Sequence, residues 1–256
     1  MSETLLPLLQ QPDTWLFVGI GFLAQIFDGA IGMGFGAISS AVLAAMGLPR
    51  EVASASVNGA KLLTGTASGV AHIALRNVDW RMLAVLGTAG VLGGVAGSLL
   101  LARNAGALLG IVVSAYLVFV GIFIIRRAFA APPPDLRRAR VGGVGLAGGF
   151  LEALSGVWGP LVTSNLVALG AHPRFAVGTG SIAETFVAGV VFSVLVAHLG
   201  FARLSLATIG LIAGALVAAP IAARITRQVP RRPLMVTVGV MVIVLSSIRL
   251  ARDLGA

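Results

Sequence analysis

The sequence predicts an all-α integral membrane protein built from two homologous repeats. The repeats are inverted, and each begins with a broken or re-entrant helix at the repeat interface. Composition is the first observation: 57% of the 256 residues are apolar and 11% charged, with a mean hydropathy of +1.00. A water-soluble domain does not reach those values. The second is a duplication. A shift of 124 residues lays Gly32, Pro49, Arg50, Leu75, Gly90 and Arg103 on Gly156, Pro173, Arg174, Leu199, Gly214 and Arg227 without a gap. The third is that glycines interrupt the first apolar run of each half. Together these are a sequence signature of secondary transporters, whose site forms where two repeats meet.

Apolar runs occupy about 14–46, 51–75, 80–101, 105–125, 141–169, 175–199, 203–223 and 233–250. Most are long enough for one span, which takes roughly 20 residues. They group into repeat 1 (14–127), a Pro/Arg-rich linker (128–140) and repeat 2 (141–252). The three consecutive prolines at 132–134 favour an extended, semi-rigid surface strap there. The run from Thr14 to Met46 would make a straight helix of roughly 50 Å against a hydrocarbon core of roughly 30 Å. It must break, and the break reads Asp28-Gly29-Ala30-Ile31-Gly32-Met33-Gly34-Phe35-Gly36. Its counterpart is Glu152-Ala153-Leu154-Ser155-Gly156-Val157-Trp158-Gly159-Pro160. Pro160 suits the first turn of a restarting helix, because its missing N–H would have no intrahelical acceptor. Irregular backbone at membrane depth is tolerated where it is buried in protein or lines a cavity. Gly90-x-x-x-Gly94 and Gly93-x-x-x-Gly97 read instead as helix-packing notches.

The net charge of +9 is scattered over short connections and forms no stripe or face, so no nucleic-acid partner is expected. The basic residues read as topology signals. If each opening run crosses once, they divide ten against seven. If it folds back, the repeats are inverted, the division is twelve against five, and the linker lies in the cytoplasm with both termini outside. The second version is favoured. With no cysteine, the chain has no disulfide, thiolate nucleophile or cysteine-ligated metal. The start, Met-Ser-Glu followed by Asp13, lacks the basic region of a cleaved signal peptide, so the first segment is expected to stay. No appended soluble domain is expected.

The broken glycine-rich segment, Gly47-Leu48-Pro49, the helix start Ala53-Ser54-Ala55-Ser56 and Arg76-Asn77-Val78-Asp79-Trp80 together resemble the TauE/SafE sulfite exporter family. The second half carries Gly156-Val157-Trp158-Gly159-Pro160, Pro173 and Ala176-Val177-Gly178-Thr179, similar to that family's second segment and its Val-Gly-Thr helix start. The resemblance runs from about 17 to 250. It implies a multi-pass carrier in the bacterial cytoplasmic membrane for sulfite, thiosulfate or an organosulfonate such as sulfoacetate, driven by the proton gradient. Lys61 inside the second helix and the acidic residues in both breaks depart from the family's usual pattern.

The residues argue separately for an anion carrier. Asp28, Lys61, Glu152 and Glu184 lie inside apolar runs. Each costs roughly 2.5–3.5 kcal/mol at the bilayer centre if left unpaired. They must be paired, hydrated or used. Lys61 and Glu184 are one step from equivalence across the repeat, so they are expected to be close neighbours. A buried structural ion pair would account for them alone; the functional reading makes Lys61 the fixed positive charge and Glu184 the titrating counter-ion. Helices restarting at Gly34-Phe35-Gly36 and Trp158-Gly159-Pro160 would offer unbonded N–H groups to an anion. Ser54, Ser56, Thr179, Ser181, Asn58 and Asn165 would add donors, although each taken singly also fits a helix-packing hydrogen bond. Asp28 and Glu152 would be protonated in the loaded state, act in proton coupling, or brace a half-helix. Trp158 would wall or gate a small pocket, or simply pack. His72, His198, Trp15 and Trp80 read as interfacial. The expected partners are a small sulfur oxyanion or sulfonate, protons and membrane lipid, with no cofactor or metal; a homo-oligomer is left open. A passive anion channel is the nearer alternative. An intramembrane serine hydrolase using Ser155 and His198 is the remote one, and no enzyme is expected.

Overall fold

The computed structural model describes residues 12–31, 34–103, 107–129, 140–201, 205–225 and 231–255. Most of the expected linker, and Gly32 and Met33 of the first break, lie outside the described residues. Among those described the chain is helical, with no strand. In order the helices are α1 (Pro12–Ile31), α2 (Phe35–Ala45), α3 (Arg50–Ala74), α4 (Trp80–Arg103), α5 (Ala107–Ala128), α6 (Val141–Ser155), α7 (Gly159–Ala168), α8 (Pro173–Leu199), α9 (Ser205–Ile225) and α10 (Arg231–Asp253). Both long opening runs are split, α1 from α2 and α6 from α7.

Local chemistry sets the ends. Asp79 caps α4, its Oδ1 accepting from the N–H groups of Arg81 (3.1 Å) and Met82 (3.0 Å). His172 accepts from Arg174 N–H through Nδ1, one residue before the proline that opens α8. α6 ends on Gly156, whose φ of +68° lies in the left-handed region that favours glycine and whose N–H bonds back to Glu152 C=O.

Packing gives each element its direction. The α1 backbone at Thr14 and Val18 lies against Gly210 and Gly214, so α1 runs parallel to α9. α3 starts at that same end, because Thr208 near the start of α9 donates to Ser56 (3.1 Å). α2 leads into that end through Gly47-Leu48-Pro49, so α1 and α2 form a hairpin that enters and leaves at one end of the bundle. At the other end, Leu146 and Phe150 of α6 meet Gly93 and Gly97, which sets α6 parallel to α4. Asp79 N–H, just before α4, donates to Thr179 near the start of α8 (2.9 Å). α7 leads into α8, so α6 and α7 form a second hairpin from the opposite end. α3 packs on α8, and α5 packs on α10.

Lipid supplies no hydrophobic force between helices, so these contacts depend on close backbone approach across small residues. A Cβ on Gly93 or Gly149 would run into the backbone of the facing helix. The outer surface carries Leu92, Leu108, Phe119 and Val217, each more than half exposed. Trp80–Arg103 and Arg174–Leu199 are long and apolar enough to cross a membrane.

Candidate functional site

The two hairpins bring both breaks to the middle of the bundle, between α3 and α8. A cavity of about 400 Å³ opens there. Its walls come from α1 (Gln25, Asp28), α2 (Phe35), α3 (Lys61, Thr64, Ser68, His72), α7 (Thr163) and α8 (Val177, Ser181, Glu184, Thr185). From Lys61 to His72 it follows α3 for roughly 16 Å, at 1.5 Å per residue. It therefore runs from mid-bundle to the end where α3 stops and α8 starts.

Lys61 forms the floor. Its ammonium lies 2.8 Å from Glu152 Oε1, 2.7 Å from Glu184 Oε1 and 2.8 Å from the carbonyl oxygen of Gly156. Three acceptors match the three donors of an ammonium. The close approach of α2 depends on Gly36, where a Cβ would strike Gly156 O and Lys61 Nζ. The two carboxylates differ in access. Glu152 is fully buried, whereas the Glu184 side chain is 24% exposed and faces the cavity. Two carboxylates hold the one ammonium and Asp28 lines the same cavity, so the ionised site carries an excess of negative charge.

The first break is capped from within. Asp28 Oδ1 accepts from the N–H groups of Gly34 (2.8 Å) and Phe35 (3.1 Å). The expectation that these groups are unbonded is corrected: the α2 N-terminus already holds a carboxylate, as its partial positive charge favours. At the second break Leu161 and Val162 N–H bond to Trp158 C=O, and Pro160 has no N–H. Trp158 is wholly buried and donates from its indole to Gly180 C=O (3.1 Å).

The remaining candidates separate clearly. Lys61, Glu184, Ser181, Phe35 and Asp28 line the cavity. Glu152 lies behind Lys61. Ser54, Ser56, Asn58, Asn165 and Thr179 are engaged in bonds between or within helices. Ser54 donates to Ala153 C=O (2.5 Å), Asn58 Nδ2 to Ser54 C=O (2.9 Å), and Asn165 Nδ2 to Leu161 C=O (2.7 Å). Ser56 and Thr179 accept from Thr208 and Asp79 as above. None of these five, nor Gly34, Gly36, Trp158 or Gly159, lines the cavity; the side chain of Pro160 lies outside the described residues. Small polar residues on a glycine-rich helix meet the backbone of the helix beside them, which is why their hydroxyls are used there. Sequence reasoning missed Gln25, Thr64, Ser68, Thr163 and Thr185, and it read His72 as interfacial where the structure has it lining the cavity. For α3 a signal was present, since Lys61, Thr64, Gly65, Ser68 and His72 recur at three- and four-residue spacing on one face. Ser155 donates to Leu151 C=O and His198 is bonded to Val194 C=O, each inside its own helix.

Comparison with known proteins adds a further line. Residues 17–249 match the family described as sulfite exporter TauE/SafE. A protein of Bacillus subtilis (strain 168), named "Probable membrane transporter protein YtnM", is 32% identical over 242 residues, covering 91% of this chain and 81% of the relative. No solved structure matches.

Proposed function

The chain belongs to the sulfite exporter TauE/SafE family, and from that premise we propose that it is a proton-coupled secondary transporter of the bacterial cytoplasmic membrane. It exports sulfite, thiosulfate or an organosulfonate such as sulfoacetate by alternating access, and the anion and a proton occupy the site together. The observation that carries this reading is the Lys61 ammonium, with all three donors engaged and Glu184 the only carboxylate partner open to the cavity. An anion reaches Lys61 by replacing the Glu184 carboxylate. Protonating Glu184 makes that replacement favourable, because it removes the competing charge and leaves the ammonium one acceptor short. Anion binding and proton binding are then linked, each strengthening the other by the same factor.

Direction follows from charge. The cavity opens at the end carrying Arg76, Arg81, Arg126 and Arg174, the side of the twelve-to-five division that the positive-inside rule assigns to the cytoplasm. A dianion carried with one proton keeps net negative charge. The inside-negative potential drives it outward with about 2.3 kcal/mol per charge per 100 mV.

Support for an inverted pair of repeats comes from packing. Each helix of the first half has a counterpart near 124 residues further on, from α1 with α6 to α5 with α10. The contacts α1 with α9 and α4 with α6 exchange under that shift, and α3 with α8 and α5 with α10 map onto themselves. The two hairpins entering from opposite ends give the relation its sense, and a pair related in this way rocks about a central site. The test is uptake of labelled thiosulfate, sulfite and sulfoacetate into proteoliposomes. Acid outside should accelerate uptake, and Lys61→Met should abolish it. Uptake indifferent to the gradient would favour a channel; equal uptake of chloride and acetate would remove the sulfur-anion assignment.

A further inference from the structure

Behind Lys61, on the side away from the cavity, polar atoms lie buried without partners. They are the second carboxylate oxygen of Glu152, the hydroxyls of Tyr116 (α5) and Ser40 (α2), and Oδ1 of Asn58 (α3). They converge on one region. Gly156, whose carbonyl Lys61 holds, would press a Cβ onto Ser40 Oγ. Asn58 lies one turn from Lys61 and bonds to Ser54, which bonds to Ala153 beside Glu152. Tyr116 stands on α5 between Val113 and Leu117, which line one small void with Ser40 and Ser155. A void of about 30 Å³ lies beside Ser40, lined by Ser54, Ser155 and Arg50 among the apolar Leu48, Val113, Leu117 and Leu154. That exceeds the roughly 10–15 Å³ that one water needs. Orphaned polar groups are expensive in a dry interior and are ordinarily satisfied by ordered water. At its outer end the seam meets Arg50, which pairs with Asp253 (2.8 Å); Asp253 also takes Arg249 (3.1 Å) and Ser114 (3.3 Å).

We infer that this seam is a second, hydrated proton branch: Glu152 exchanges protons with the face opposite the cavity through Tyr116, Ser40 and water, and the Arg50–Asp253 pair closes its outer end. The inference rests on the reading above and deepens it. Glu184 serves the cavity side and Glu152 the far side. Lys61 bonds to both carboxylates, so a proton crosses between the two branches only through the site that binds the anion. The ionisable groups facing Glu152 are Lys61 on α3, Tyr116 on α5 and Glu184 on α8; α2 and α7 contribute none. Protons move here by transfer between oxygens, and no covalent bond to substrate forms or breaks.

The test separates two fluxes in proteoliposomes holding the full chain. Exchange of labelled thiosulfate, with thiosulfate on both sides, needs no net proton movement, whereas net uptake driven by a pH gradient does. Tyr116→Phe removes only the hydroxyl, and Ser40→Val fills the seam. Both should leave exchange intact, which also shows that they fold, while net uptake falls at least about tenfold. Unchanged net uptake in both variants, or a parallel loss of exchange, would overturn the branch. If the wild type carries no sulfur anion, the transport reading fails instead. The branch is then judged on Ser40→Cys, the lone thiol of a chain without cysteine: silver ion should titrate it, faster with Asp253→Asn, and an inert thiol would overturn the inference.

Discussion

Asp28 and Glu152 stand 124 residues apart, at matched positions in the two breaks. Asp28 turns forward and caps the helix that restarts after its own break, bonding Gly34 and Phe35 N–H. Glu152 turns sideways to Lys61 and leaves α7 uncapped by its carboxylate. The residues that follow explain the divergence. In the first break Gly34 and Phe35 present N–H donors, and Gly36 lets α2 close onto Gly156 and Lys61. In the second, Pro160 stands where Gly36 does and has no N–H, while Trp158 stands where Gly34 does and fills the space with a buried ring. Lys61 itself has no basic counterpart; the matched position is Thr185. Two breaks with matched acids in the sequence therefore carry an asymmetric site, with one acid spent on structure and the other on charge.

Several substitutions would sharpen or break that contrast. Removing the ammonium has the largest expected effect: Lys61→Met leaves Glu152 buried and unpaired, abolishing transport and lowering stability by about 3–5 kcal/mol. Adding Glu152→Gln to it should restore most of the stability and none of the transport. Thermal melting alongside flux reads both, and a single variant as stable as wild type would contradict the triad. Gly36→Ala comes next, at about 1–3 kcal/mol, because its methyl meets backbone and ammonium with no room to yield. Asp28→Ala should cost about 1 kcal/mol for the lost cap, and Asp28→Asn, which keeps an acceptor oxygen, should recover nearly all of it. If Asn is as damaging as Ala, Asp28 acts through its charge and the contrast between the breaks collapses. Asp253→Asn is the mildest, below about 1 kcal/mol for an ion pair at the bundle end. Its readout is faster labelling of single cysteines on the far side.

Much of this arrangement is legible in the chain. The two breaks follow from run length against membrane thickness, and Lys61 and Glu184, one step from matched positions in the sequence, are neighbours in the structure. The rest is not, for reasons of reach and direction. Nothing in the spacing tells that Glu152 arrives at the same ammonium, because that depends on α6 stopping at Gly156 with its last turn against α3. The hydroxyls of Ser54 and Ser56 read as ligands, since a sequence does not show which helix lies alongside. Asp28 gives no sign of whether its carboxylate points at an anion or at the N–H groups an anion would use. The seam behind Lys61 has no periodic signature at all, being assembled from α2, α3, α5 and α6.

The most direct test of the central claim, that the anion replaces the Glu184 carboxylate at Lys61, is thiosulfate affinity measured against pH in wild type and in Glu184→Gln. Thiosulfate stays ionised across the range, so any pH dependence belongs to the protein. Wild-type affinity should rise as pH falls, by up to about tenfold per unit for one linked proton. Glu184→Gln should bind tightly with that slope removed. An unchanged slope in the variant, or loss of binding, would show that Glu184 is not the group the anion displaces.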